Sequence, residues 1–280
     1  MSITTVILVH GAWHGAWCWQ TVIPELLKRR LAPFTLDLPA HGVHARFPEG
    51  WGGDPARFAT APSPVAGITL DDYADAVLEV VNAAYAAGSG PVMLVGHSMA
   101  GIALTAVAER APEKIGMLAY LAAFMPLPGV PMINYVCCAE NAGEEVAGLF
   151  VAPPPRIGAM RIDYRCASPV HGERIRSAFA HDVDTTRFAA MNHLLTPDVP
   201  AGPVATPTVA TRKGWGRVPR AYIRCSADRA VMPALQDRFI READAFTPGN
   251  PTRVLTLAAS HSPFLSMPET LARALAKLAA

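Results

Sequence analysis

Ser98 lies in the stretch Gly96-His97-Ser98-Met99-Ala100-Gly101, between an apolar run, Val92–Val95, and a helical pattern from Ile102 to Arg110. A serine hydroxyl is a weak nucleophile at its free pKa and needs an adjacent base. A sharp strand-to-helix turn lifts such a hydroxyl above a sheet, and it requires small neighbours because larger side chains would collide there. Gly96, Ala100 and Gly101 meet that requirement, although Ala100 stands where the strict G-x-S-x-G pattern has its second glycine. The bland alternative is a serine that merely joins a strand to a helix.

A base and an acid must then follow in the order Ser, acid, His. Nine histidines compete. His261 comes just after a late apolar run, Arg253–Leu257, where a loop can reach the top of the sheet, so it is the candidate base. His97 adjoins Ser98, but neighbours point apart at such a turn. His10 reads as tied to its own loop, while His14, His41 and His44 lie in loops that approach the site. His171, His181 and His193 read as solvated. Asp228, three residues past Cys225, is the candidate acid that would orient the imidazole and stabilise its charged form. Its rivals Asp237 and Asp244 fall on the next helix and read as a solvated face. An oxyanion hole needs two preorganised backbone N–H donors. Met99, directly after the serine, and Ala12, in the loop after the first strand, are the candidates.

These positions need a frame. Short β-branched runs alternate with helical patterns, which predicts an α/β fold with a mostly parallel, doubly wound sheet. Thr5–Val9, Phe34–Leu38, Val92–Val95, Met117–Ala123, Ala221–Cys225 and Arg253–Leu257 read as strands. Ala16 to Arg30 reads as one helix, with Trp17 and Trp19 anchoring it in the core. Pro39 to Ile68 reads as a long loop. Thr69, followed by Asp71 and Asp72, reads as the N-cap of a helix ending at Gly88. Later helices are predicted over Gly172–His181, Thr185–Leu195, Pro233–Ala245 and Pro268–Leu278. Ser266 and Glu269 have capping-box spacing for the last of these. Between Pro126 and about Val218 the alternation breaks and prolines multiply, which reads as an insertion. The predicted division is residues 1–124 and 218–280 as the core and 125–217 as a helical lid.

Composition narrows the partners. Apolar residues make up 51% of the 280 and charged residues 17%, which excludes a disordered chain. A net charge of +1 leaves no basic surplus for nucleic acid or anionic membranes. The most apolar run, Ile115 to Met125, is about half the ~20 residues a membrane-spanning helix needs. Met1 to Thr5 carries no positive residue and Val6–Val9 is too short for a secretory signal core, so a cytoplasmic location is expected. Cys18, Cys137, Cys138, Cys166 and Cys225 have no CxxC spacing. They are expected as reduced thiols, mostly packed, with no metal and no cofactor. The oligomeric state stays open, with a homodimer as one alternative.

The stretch Val9-His10-Gly11-Ala12-Trp13-His14-Gly15-Ala16-Trp17-Cys18-Trp19 resembles the start of the α/β-hydrolases related to plant methylesterases and hydroxynitrile lyases. Gly96 to Gly101 resembles their elbow, Asp228 with Pro233 and Gln236 their acid region, and His261 their base. The resemblance implies the α/β-hydrolase fold, Ser98, Asp228 and His261 as catalytic residues, and Ala12 and Met99 as oxyanion donors. The lyases carry Thr where this chain has Gly11, and Lys where it has Ser262. That lysine balances the charge of departing cyanide, so the esterase branch is favoured. The expected activity is a serine carboxylesterase acting on a small-molecule ester. Two alternatives stay open: cyanohydrin cleavage, and a ligand-binding protein on a hydrolase frame. Open α/β sheets bind ligands beyond the carboxyl ends of their strands, so the insertion and the long early loop should form the pocket. Trp13, Phe124, Met125, Tyr135 and Phe150 are the candidate wall residues.

Overall fold

The computed structural model describes residues 4–279, so the N-terminal reading at Met1 to Ile3 lies outside the described residues. Among the described residues there are eight strands: β1 (Thr4–Val9), β2 (Leu31–Leu36), β3 (Val92–His97), β4 (Ile115–Leu121), β5 (Ala159–Arg161), β6 (Asp198–Pro200), β7 (Arg220–Cys225) and β8 (Arg253–Leu257). Six of them form one sheet in the order β2-β1-β3-β4-β7-β8. Every pair in it is parallel. The inner strands β1 and β3 have almost no exposed residue, as expected for a sheet covered by helices on both faces. The strand order reverses between β1 and β3, and the loops leaving those two strands carry Ala12 and Ser98. That is the switch point where such sheets open a crevice.

Several elements differ from their sequence reading for local reasons. Residues 16–30 are a 3₁₀ turn, Ala16–Trp19, followed by a helix, Ile23–Lys28. Pro24 explains the break, because proline fits the first turn of a helix and not its interior. Trp19 is fully buried in the core, as expected. β2 lies three residues earlier than expected at its start and holds Pro33, which an edge strand tolerates. Thr69 caps the helix Leu70–Ala86, and Asp72 returns a bond from its side chain to the Thr69 N–H. The stretch 39–68 is not all loop: Asp54 caps a helix at Pro55–Thr60. Ser266 caps nothing. The last helix begins at Pro268, Met267 provides its first carbonyl, and the Ser266 hydroxyl is buried without a partner. Cys18 and Cys225 are buried, but Cys137 and Cys166 are exposed.

Between β4 and β7 the chain leaves the sheet and returns about a hundred residues later. This segment has short helices, two longer ones at Pro169–Ala180 and Thr185–Asn192, and a small antiparallel pair, β5 with β6. A buried ion pair joins that pair: Arg161 Nε donates to Asp198 Oδ1 at 2.6 Å and Nη2 to Oδ2 at 2.7 Å. Both side chains are fully buried. The stretch 39–68 props this pair from below. Ser63 Oγ donates to Asp198 Oδ2 at 2.6 Å, and Arg161 Nη1 donates to the carbonyls of Ala61 and Phe58. Among the described residues, no helix is long and apolar enough to cross a membrane.

Candidate active site

Ser98 follows the last residue of β3 and precedes the helix Ala100–Arg110. Its φ of +55° is a conformation that L-residues adopt only under constraint, as at a nucleophile elbow. The constraint is backbone stitching to the end of β4: Ser98 N donates to Leu121 O at 3.1 Å, and Ser98 O accepts from Phe124 N at 3.0 Å. Both glycines sit in close quarters, Gly96 against the Leu104 side chain and Gly101 against backbone. A Cβ on Gly96 would lie 2.5 Å from Leu104 Cδ1, and one on Gly101 would lie 2.0 Å from Phe124 O. At Gly101 the clash is with backbone, so that position must be glycine.

His261 and Asp228 arrive from the loops after β8 and β7. Asp228 Oδ2 lies 2.7 Å from His261 Nδ1. Asp228 Oδ1 accepts the N–H groups of Ala230 at 2.8 Å and Val231 at 3.0 Å. Gln236, fully buried on the next helix, ties this loop to β7. Its Oε1 accepts from Cys225 N, and its Nε2 donates to the carbonyls of Cys225 and Val231 and, at 3.3 Å, to Asp228 Oδ2. The rivals Asp237 and Asp244 are engaged elsewhere, with Arg224 and with Thr252.

His97 finds a structural task. Its Nε2 donates to the carbonyl of His261 at 2.9 Å, with the two rings 4.5 Å apart. Burial holds the His97 pKa well below its ordinary value, so the ring is neutral. His14 packs edge-on against His97, and burial lowers its pKa to about 4. His10 stays with its loop, as expected: Nδ1 contacts Gly11 O and Nε2 accepts from Leu38 N. His181, expected in solvent, instead bonds the Ala227 carbonyl beside the acid.

Ala12 and Met99 face the same cavity as Ser98 and His261. Among the described residues, neither backbone N–H donates to a protein acceptor, so both are available to an incoming oxygen. The Ala12 loop is pinned on both sides. A Cβ on Gly11 would lie 2.7 Å from His97 Nδ1 and 2.8 Å from Ser98 Cβ. Trp13, at φ +60°, accepts at its carbonyl from Thr196 N and Oγ1, and its indole donates to Met160 O at 3.1 Å.

The cavity has a volume of about 50 Å³ and is partly open to solvent. Trp13, Phe124 and Phe150 line it. Met125 and Tyr135 do not. Tyr135 turns to the helix Pro233–Phe246, where its hydroxyl donates to Glu242 Oε2 at 2.6 Å. Met125 is buried in the core one residue beyond Phe124, which takes the place on the wall. No residue of the early stretch 39–68 reaches this wall. Residues not singled out from sequence fill it instead: Met132, Val136, Val146, Met160 and Phe179 from the inserted segment, with Ala230 and Val231 beside the acid. Their apolar types were the only signal, and core packing produces the same one. Asn141 and Glu144 are its polar wall residues beyond Ser98 and His261, and no Lys or Arg lines it. Among the described residues, no three or more His, Cys, Asp or Glu side chains are grouped to hold a metal.

A parallel sheet with a strained serine at the β3 turn and a His–Asp pair after its last two strands defines the class of nucleophile-elbow hydrolases. The chain matches the alpha/beta hydrolase family over residues 6–274, and it belongs to that family. It is 28% identical to a pyrethroid hydrolase of Sphingobium wenxiniae over 280 residues, covering 100% of this chain and 89% of the relative. It is 27% identical to methylesterase 9 of Arabidopsis thaliana over 287 residues, covering 98% and 97%. The crystal structure of a pyrethroid hydrolase from Sphingobium faniae superposes with a TM-score of 0.77 at 28% identity, over 99% of this chain and 98% of that one.

Proposed function

We propose that this chain, a carboxylic ester hydrolase, works through an acyl-enzyme on Ser98. The observation that carries the reading is the His261–Asp228 contact of 2.7 Å at a cavity that Ser98 also lines. His261 takes the Ser98 proton as the hydroxyl attacks the ester carbonyl. Asp228 fixes the tautomer with the proton on Nδ1 and stabilises the imidazolium that forms. The Ala12 and Met99 N–H groups receive the tetrahedral oxyanion. His261 then protonates the departing alkoxide, and a water molecule repeats the sequence to free the acid. Residues 125–217 act as the cap that supplies the binding wall. Its apolar lining suits a neutral ester with an apolar body, and the names of the relatives support esters as the class.

Cyanohydrin cleavage would release an anion into a cavity that has no Lys or Arg on its wall. Ser262, where the lyases carry lysine, is fully buried with an unpartnered hydroxyl. The test offers the protein p-nitrophenyl esters and mandelonitrile in parallel. The expected result is ester turnover that falls by several powers of ten in Ser98→Ala, with only background benzaldehyde. Cyanide release that vanishes in Ser98→Ala would replace the esterase reading with the lyase.

A further inference from the structure

The turn that ends the inserted helix Pro169–Ala180 touches both catalytic loops. His181 Nε2 donates at 2.8 Å to the carbonyl of Ala227, one residue before Asp228. Asp182 Oδ2 accepts at 2.9 Å from the N–H of Ser260, one residue before His261. Ser260 is fully buried. Among the described residues its N–H has no other acceptor, and the Ala227 carbonyl has no other donor. The two loops also bond each other, Ala227 N to Ala259 O at 3.0 Å. The turn is itself braced. Arg176 Nη1 donates to the carbonyls of His181 at 2.9 Å and Val183 at 3.2 Å, and Glu173 Oε1 holds the same guanidinium at 2.7 Å.

Without Asp182, a buried N–H beside the base would lose its partner, and an unmade bond of that kind is costly enough to shift the loop. His261 is held on its other side by His97, which bonds its carbonyl from the sheet. Removing Asp182 leaves that single hold. A misplacement of about 1 Å among reacting groups can cost about 10²-fold in rate. Neither His181 nor Asp182 lines the cavity of Ser98, so neither belongs to the binding wall. Building on the acyl-enzyme reading of Ser98, we infer that His181 and Asp182 are positioning residues for ester hydrolysis. This one turn of the inserted segment sets the register of the Asp228 and His261 loops. The cap thereby governs kcat at one point as well as substrate choice along its wall.

Steady-state kinetics with p-nitrophenyl butyrate, together with proton NMR, test the inference. His181→Ala and Asp182→Ala should each lower kcat about tenfold or more, with KM within about twofold of the wild type. His181→Gln keeps a donor and Asp182→Asn keeps an acceptor oxygen, so each should recover most of the rate. Asp182 is exposed and His181 half-buried, so all four variants should keep the wild-type circular dichroism. Alanine variants at the wild-type rate would overturn the inference. So would losses confined to KM, losses that merely follow the melting temperature, or Asp182→Asn as slow as Asp182→Ala. The proton between His261 Nδ1 and Asp228 Oδ2, in a bond of 2.7 Å, gives a readout without turnover. Its far-downfield signal, identified by its loss in His261→Ala, should shift or broaden in the alanine variants and return in the conservative ones. A signal unchanged in both alanine variants would also overturn the inference. Absence of ester turnover in the wild type would instead remove the esterase reading, and the proton signal would still decide whether this turn positions the pair.

Discussion

The two sides of the Ser98 cavity are built by different forces. On the sheet side, position is set by backbone. Parallel ladders fix β1, β3 and β4, and close approaches at Gly11 and Gly101 leave no room for another side chain. On the inserted side, between β4 and β7, the paired strands are only three residues long. Scattered loop backbone bonds, such as Ile162 N to Pro197 O, are braced there by side chains: Arg161 with Asp198 and Ser63, Trp13 with Met160, and Asn141 with Met232. Backbone placement gives chemistry a geometry that sequence drift cannot easily move. Side-chain placement gives a binding wall that can change residue by residue while the chemistry stays.

That contrast is open to attack from both sides. The largest effect should come from Asp228→Asn. The amide can still accept from Ala230 and Val231, so the loop should fold, but it cannot balance an imidazolium. A kcat loss of about 10⁴-fold with unchanged circular dichroism is expected. A variant that retains most of its rate would remove Asp228 from the chemistry.

On the inserted side, Asp198→Ala leaves the Arg161 guanidinium buried and unpaired. The expected loss is about 3–5 kcal/mol in urea unfolding, because an uncompensated buried charge is costly. A loss under about 1 kcal/mol would mean that other contacts hold β5 and β6.

The sheet side should show its character in acid. Burial holds His14 and His41 at pKa values of about 4, below the 6.5 of an exposed imidazole. Between those values the unfolded chain takes up protons that the folded protein refuses. Stability is therefore full above about pH 6.5 and falls as the pH drops towards 4, by about 1.4 kcal/mol per pH unit for each such histidine. Unfolding free energies measured from pH 7.5 to 4.5 check the slope, and His41→Gln should make it shallower. A flat profile would contradict the buried neutral histidines.

The same contrast governs what could be read from sequence. The strand runs and the Ser98, Asp228 and His261 positions were legible because backbone-set elements leave short local signatures: β-branched runs, small residues around a serine, a capping Thr69. Pro24 and the Asp54-Pro55 pair were equally local signals that redraw the first helix and place one inside the early stretch. The cavity wall was only half legible. Trp13, Phe124 and Phe150 reach it, but Tyr135 was drawn off by Glu242, a partner 107 positions away. Contacts at that separation leave no pattern in a single sequence. The His97 bond to the His261 carbonyl was hidden for the same reason. The ion pair of Arg161 and Asp198, 37 positions apart, leaves no local sequence signature either.

The central claim is that the Ser98 hydroxyl is the atom that attacks the ester carbonyl. A p-nitrophenyl alkylphosphonate should inactivate the enzyme and add one phosphonyl group per chain. Peptide mass spectrometry should place that group on Ser98, and the His261→Ala variant should react far more slowly. Full inactivation with the label on another residue, and Ser98 unmodified, would contradict the account.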